Sequence, residues 1–272
     1  MVQSPTRRAQ ALGHPCVHLG PRKIARSDWG SRRATELFFL LLEHPEGLTK
    51  EQIVETLFSE CDGPSGDGLF HSTLYRCRQA LGKEAIVWDD DIYQIADFRL
   101  WDYDVAEFEA LVKRARETPD QKMAQELYAE AVGLYRGEYL EGWFSEWCEP
   151  TRLRLSHLYT GAALTRAHWY AGQGAPEVAL ELYRKAIDQD YYLEAAHRGI
   201  VDALLALGDR LAAMRHYLDL VEKLKQDVPP AERSEIPGLV EEILERSLSD
   251  LIGAGSVSGG DETGACGGAK AV

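Results

Sequence analysis

Gly174, Ala179, Tyr183 and Ala186 recur 34 residues later as Gly208, Ala213, Tyr217 and Leu220. A spacing held at four positions requires a structural unit that repeats and stacks on its own copy. Within each unit the small residues and the tyrosine fall at helical intervals, so they share one face of a helix. Small side chains there let paired helices approach closely, and the tyrosine fills the groove between them. Ala124, Tyr128 and Ala131 keep the same internal spacing upstream as a more distant echo. Stacked units of this kind build a superhelix with a concave, partner-binding surface.

The 34-residue period is that of tetratricopeptide repeats. Helical patterning holds nearly throughout from "FRLWDYD" to Pro229-Pro230, which break the array. "IPGLVEEILERSLSDLI" then reads as a last helix, and residues 251–272 as a flexible tail rich in Gly, Ala and Ser.

The first hundred residues follow another pattern. "PCVHLGPRKIARSDW" gives short extended runs around Val17 and Ile24 with a turn at Gly20-Pro21. In "SRRATELFFLLLEHPEG", Ser31 is a candidate N-cap, Leu37, Leu40 and Leu41 mark a buried stripe, and Pro45 and Gly47 end the helix. A second helix, "TKEQIVETLF", has Thr49 as N-cap and Gln52 in the position a capping box requires, with Ile53, Leu57 and Phe58 as its apolar face. "SECDGPSGDG" reads as a loop. From Leu69 a third helix carries Phe70, Leu74, Cys77 and Leu81 on one narrow face, with Gly82 as its stop. Ser72, Tyr75, Arg76 and Gln79 are on the opposite face, His71 and Arg78 on one flank and Thr73 on the other. "AIVWDDDIYQIA" is two β-rich runs about an aspartate triplet, a hairpin signal. Strands, three helices and a hairpin are the order of a winged helix-turn-helix, whose third helix lies in the major groove.

The formal net charge of −14 argues against nucleic acid only if it is spread evenly. Residues 1–99 hold 12 Lys/Arg against 14 Asp/Glu, a net of −2, and residues 100–272 hold 18 against 30, a net of −12. The acidity belongs to the helical part, and up to Arg33 seven basic residues face one acid, Asp28. No apolar run approaches the length that spans a bilayer, and "MVQSPTRRAQ" lacks the apolar stretch of a signal peptide. Five scattered cysteines without a C-x-x-C pair fit reduced thiols in a cytoplasm.

"WGSRRATELFFLLLEHPEG", "LYRCRQALG" and "IYQIA" resemble the OmpR-type winged helix of bacterial regulators that lack a receiver domain. "DYDVAEFEAL", "YRGEYLEGW" and the helical repeats resemble the bacterial transcriptional activator domain. Together, over roughly residues 10–230, they resemble the Streptomyces antibiotic regulatory protein class. The resemblance implies DNA contacts at Thr73, Tyr75, Arg76 and Arg78, and a polymerase contact for the loop before the third helix. Arginine suits a guanine edge or a phosphate because its planar fork donates two parallel hydrogen bonds. Ser72 and Gln79 offer shorter polar contacts, and Lys50 joins the second helix's amides around a phosphate. The sequence departs from the family in two places: the wing turns at Asp89, Asp90 and Asp91, which repel phosphate, and Cys77 stands at a core position usually held by leucine.

His71 and Cys77, near Cys61, have the residue types of a metal site, but Cys77 belongs to the apolar stripe and His71 does not. "GPSGDG" lacks the Lys-Ser/Thr of a P-loop. Trp143, Phe144 and Trp147 are expected to pack the connection between helix pairs. No nucleophile, base and orienting group form a set. The expectation is therefore a mostly α chain: a winged helix-turn-helix DNA-binding domain over residues 10–99, an all-α tetratricopeptide-like activator domain over 100–250, and the tail. Its function is that of a cytoplasmic, non-enzymatic transcription regulator without metal or cofactor. Its partners are double-stranded promoter DNA and, through the repeats, a protein such as RNA polymerase or a second copy, with no membrane. Two alternatives stay open: an adaptor whose winged helix does not bind DNA, and a ligand sensor with a pocket in the helical array.

Overall fold

The computed structural model describes residues 7–59 and 64–227. The chain opens with strands β1 (Arg7–Gln10), β2 (Cys16–Leu19) and β3 (Arg22–Lys23), a single turn of helix α1 (Arg26–Trp29), and α2 (Arg32–Glu43). Strand β4 (Leu48–Thr49) leads into α3 (Lys50–Phe58) and α4 (Pro64–Leu81), followed by the hairpin β5 (Ile86–Asp89) and β6 (Ile92–Ile95). Strand β7 (Trp101–Tyr103) then precedes α5 (Asp104–Glu117), α6 (Gln121–Leu134), α7 (Glu149–Gly172), α8 (Pro176–Gln189), α9 (Glu194–Ala206) and α10 (Arg210–Asp227).

The predicted caps form. Ser31 Oγ accepts from the Ala34 amide at the start of α2. Thr49 and Gln52 exchange hydrogen bonds of 3.3 and 2.8 Å, closing the capping box of α3. Helix α2 is buried well beyond its expected stripe, because Phe38, Phe39 and Leu42 are covered as fully as Leu37 and Leu41. The aspartate triplet closes the hairpin, with Asp90 and Asp91 at φ of 47° and 62°. Two consecutive positive φ values are what a two-residue turn needs to match the strand twist, and aspartate tolerates them better than most residues.

Glycine is required at position 47, where φ is +84° and an added β-carbon would lie 2.3 Å from Ile92 and 2.9 Å from the Tyr93 carbonyl. The absent side chain lets β6 pass over the turn and pair antiparallel with β4, Leu48 opposite Tyr93 and Thr49 opposite Ile92. The wing sheet therefore has the order β4-β6-β5. A second sheet, β3-β2-β1-β7, was only partly expected. Its first strand, "RRAQ", has no apolar alternation, and it pairs with β7 in parallel, Arg7 opposite Trp101.

The third helix starts earlier than composition suggests. Pro64, read as part of a loop, is the first residue of α4, which thus holds Gly66 and Gly68 within its first turns. Proline suits that place because its missing N–H has no intrahelical partner there, and its fixed φ is already helical.

The chain divides into two compact units, residues 1–166 and 167–272. In the first unit one apolar core is continuous from Ala9 through Phe38, Trp101 and Phe108 to Tyr139 and Leu155. In the second, α8 and α9 pair closely and α10 packs on α9. The 34-residue period is visible there as equivalent geometry. Gly174 and Gly208 turn at φ of 74° and 79°, and Ala179 and Ala213 are buried, as are Ala186 and Leu220. Tyr183 fills its groove so closely that a β-carbon on Gly199 would lie 2.3 Å from its ring. Pro229-Pro230, the last predicted helix and the 251–272 tail lie outside the described residues.

Candidate nucleic-acid interface

Helix α4 packs against α2, α3 and α1. Phe70, Leu74, Cys77 and Leu81 are all buried, so the one-face pattern anchors the helix as expected. Burial raises the Cys77 thiol far above its usual range, which suits a core residue and not a metal ligand. His71 is exposed on another face, and Cys61 lies outside the described residues.

The outward face carries Ser72, Tyr75, Arg76 and Gln79, all exposed, with the Tyr75 ring 64% exposed. The stem of Arg76 runs past Gly30, its Cδ 3.7 Å from where a β-carbon on that glycine would be. Gly30 caps α1 in the left-handed region and leaves room for the arginine to lie along the helix and reach outward. Ser72 Oγ donates to the Leu69 carbonyl at 2.9 Å and keeps its lone pairs outward.

Arg78 and Thr73 are placed differently from their neighbours. The Arg78 guanidinium donates twice to the Ile86 carbonyl, at 3.2 Å from Nε and 2.8 Å from a terminal nitrogen. That fork ties the end of α4 to the first strand of the wing. Thr73, expected on a flank, is only 5% exposed. It lies three residues after Phe70 and four before Cys77, which places it beside the buried stripe.

Lys50 binds Asp67 at 2.9 Å, joining the start of α3 to the first turn of α4. This hydrogen bond raises the lysine pKa, so the ammonium stays charged. The wing presents Asp89, Asp90 and Asp91, together with Trp88, whose ring is 58% exposed and 6.4 Å from that of Tyr93. Trp88 was not singled out from the sequence; its place one residue before the aspartate turn, at the end of a strand, was the available signal.

Behind α4, helix α2 carries two shielded carboxylates, buried Glu36 and half-buried Glu43, which the sequence did not reveal. Glu36 is 1% exposed and receives Arg32, Arg33 and the Ser145 hydroxyl at 3.1, 2.7 and 2.7 Å. Glu43 receives the Tyr103 hydroxyl, the Thr151 hydroxyl at 3.3 Å and Arg154 at 3.0 Å. The helix against which α4 packs is thereby bonded to the segment that begins the helical part. Asp104, at the first position of α5, accepts the Ala11 and Leu12 amides at 2.8 and 3.1 Å, and burial pushes its pKa up to about 6. Trp143 and Trp147 pack against this core as expected, but Phe144 is 88% exposed and does not.

No helix among the described residues is long and apolar enough to cross a membrane. No curated protein sequence matches the chain. Among solved structures, that of Mycobacterium tuberculosis EmbR in complex with a low-affinity phosphopeptide is similar at 17% identity and a TM-score of 0.67. The match covers 93% of this chain and 70% of that one. Identity this low supports the fold alone, a small α+β region followed by a helical one. Residues 103–244, just over half of the chain, match the bacterial transcriptional activator domain. With that domain set behind a winged helix, as the resemblance to the Streptomyces antibiotic regulatory proteins implied, the chain belongs to the bacterial transcriptional activator domain family.

Proposed function

We propose that the winged helix binds double-stranded promoter DNA through α4, and that the helical repeats engage a protein partner, RNA polymerase or a second copy of the chain. The observation that carries this reading is the exposed face Ser72, Tyr75, Arg76 and Gln79 on a helix whose other face is fully anchored. Arg76 makes the base or phosphate contact, with Tyr75, Ser72 and Gln79 beside it. Arg78 and Thr73 hold the helix in place, and Lys50 supplies charge near a phosphate. The functional division follows residues 10–99 for DNA and 100–250 for partners, with 251–272 as a linker or tail. The protein acts in the cytoplasm and performs no catalysis.

Selection of bound fragments from genomic DNA, followed by a salt titration on the recovered site, tests the reading. A steep fall of affinity with salt is expected, because neutralised phosphates release counterions. Recovery of no enriched site overturns it.

One observation favours an adaptor role instead. Three exposed aspartates at the tip of the wing repel phosphate, and exposed Trp88 beside them suits a protein surface. Absence of binding to every genomic fragment, persisting after Asp90→Asn with Asp91→Asn removes the repelling charges, would favour the adaptor.

A further inference from the structure

We propose that the first unit contains a binding site for a small aromatic carboxylate, separate from the outward face of α4. A cavity of about 330 Å³ opens among β2, β3, α1, the start of α2 and the Gly142-Trp143 turn. That volume lies at the lower end of the ~300–1,000 Å³ of small-molecule sites, and the mixture of aromatic walls and few polar groups is also theirs.

The lining decides the chemistry. Trp29, Phe39 and Trp143 supply flat apolar walls, with Phe39 and Trp143 edge to face at 5.8 Å. Lys23, Arg26 and Arg32 supply the charge, and no carboxylate lines the cavity among the described residues. In a chain with a net charge of −14, a cavity with three cations and no acid is a local inversion. Lys23 and Arg26 are exposed and make no ion pair among the described residues. Arg32 is paired, but incompletely neutralised. It shares the single carboxylate of Glu36 with Arg33 and with Ser145, so two guanidinium charges face one negative charge. Its guanidinium also lies 5.6 Å from the Trp143 ring centroid, at the junction of the charged and aromatic walls.

A ligand matching this arrangement has a flat apolar body between Trp29 and Trp143 and one anionic group toward Lys23 and Arg26. The anion alone gains little at exposed cations in water, and the ring alone leaves them unmatched. Both parts are needed for affinity.

The test uses 2-naphthoate, titrated into the full chain by calorimetry, with 2-naphthol and acetate as partial mimics. Saturable binding of 2-naphthoate is expected, at least tenfold weaker for 2-naphthol and for acetate. Lys23→Ala combined with Arg26→Ala should weaken 2-naphthoate binding at least tenfold and leave the thermal midpoint unchanged, since both side chains are exposed. Cys16 also lines the cavity, so bound 2-naphthoate should slow its alkylation, read on the Cys16 peptide by mass spectrometry. This second readout needs no variant and decides the matter if the double variant fails to fold. Equal binding of 2-naphthol, an unaffected double variant, or neither heat nor Cys16 protection at millimolar 2-naphthoate would each overturn the proposal. None of these outcomes bears on DNA binding, which genomic selection tests separately.

Discussion

Two arginines of α4, Arg76 and Arg78, separated by Cys77, should fail in opposite ways. Arg76 is exposed, with its stem along Gly30, while both nitrogens of the Arg78 fork engage the Ile86 carbonyl. Replacing Arg78 with alanine removes two charge-assisted hydrogen bonds between α4 and the wing. Such bonds contribute about 1.5–3 kcal/mol each when buried, and partial exposure here brings the pair to about 1–2 kcal/mol in total. The Ile86 residue pairs with Ile95 in the wing sheet, so the freed carbonyl sits at the root of the hairpin. In a unit of this size each 1 kcal/mol lowers the thermal midpoint by roughly 2–4 °C, so Arg78→Ala should melt roughly 2–8 °C below the wild type. Arg76→Ala breaks no internal bond and should stay within about 0.5 kcal/mol of wild-type stability. Its effect should fall on DNA: if it contacts a phosphate, the slope of log affinity against log salt drops by about 1, and if it reads a guanine, discrimination at one base pair falls by about 1–3 kcal/mol. Thermal unfolding followed by circular dichroism and a salt series of fluorescence-anisotropy titrations separate the two. An Arg78→Ala variant that keeps the wild-type midpoint while losing DNA binding would make Arg78 the reader and not the brace.

Three further outcomes follow from the packing and the buried charges. Gly47→Ala adds a β-carbon 2.3 Å from Ile92 at φ +84°, so it should destabilise the first unit by about 2–4 kcal/mol, measured by urea unfolding. In the second unit, Gly199→Ala gains about 1 kcal/mol of helix propensity but collides with the buried Tyr183 ring; a net loss of about 1–2 kcal/mol is expected, and Tyr183→Leu in the same chain should recover part of it. Also in the second unit, His197 Nε2 donates to the acceptor-only Tyr191 carbonyl, so its Nδ1 accepts from His216 Nε2 at 2.9 Å and both rings are held neutral. Burial first, and then the neighbouring His197, push the His216 pKa down to about 4. An unfolded histidine binds its proton near pH 6.5. Between these values the unfolded state therefore holds more protons, and stability falls as pH falls from about 6.5 to 4, by about 1–2 kcal/mol after allowing for partial exposure. His216→Gln, which can still donate to His197, should flatten that decline in acid unfolding curves.

What the sequence made legible was set by local rules. The caps at Ser31 and Thr49, the stripe of α4, the aspartate turn and the 34-residue geometry of Gly174 and Gly208 depend on neighbours within a few residues or on strict periodicity. Features set by distant residues were hidden. "RRAQ" has no apolar alternation and becomes a strand by pairing on one side with β2 and on the other with β7, more than ninety positions away in sequence. In "LYRCRQALG" Arg76 is on the outward face and Arg78 on a flank, both expected to contact DNA, and only the placement of β5 makes Arg78 a brace. Thr73 sits beside the buried stripe, where its exposure depends on whether another element covers that side.

Glu36 and Glu43 show why the winged helix and the activator domain are physically continuous in the first unit, although they differ in composition. An acid on an apolar helix is usually a solvated one, yet Glu36 is buried and Glu43 half-buried, with partners Ser145, Thr151 and Arg154 that come from the start of the helical part. Glu43 depends on those partners, whereas Glu36 also keeps Arg32 and Arg33 of its own helix; a carboxylate shielded from water and left unpaired costs free energy. A displacement of residues 143–154 would therefore be opposed at α2, and α2 is the support of α4. Under the proposed function, the two carboxylates connect the start of the activator domain to the helix that supports α4. Glu43→Gln keeps the shape and removes the charge that Arg154 answers, so it should weaken that connection while sparing the exposed face of α4. The measurable consequence is a change in DNA affinity with Arg76 and its neighbours intact. If Glu43→Gln lowers stability but leaves DNA affinity at the wild-type value, the carboxylate only braces the core and carries no coupling to α4.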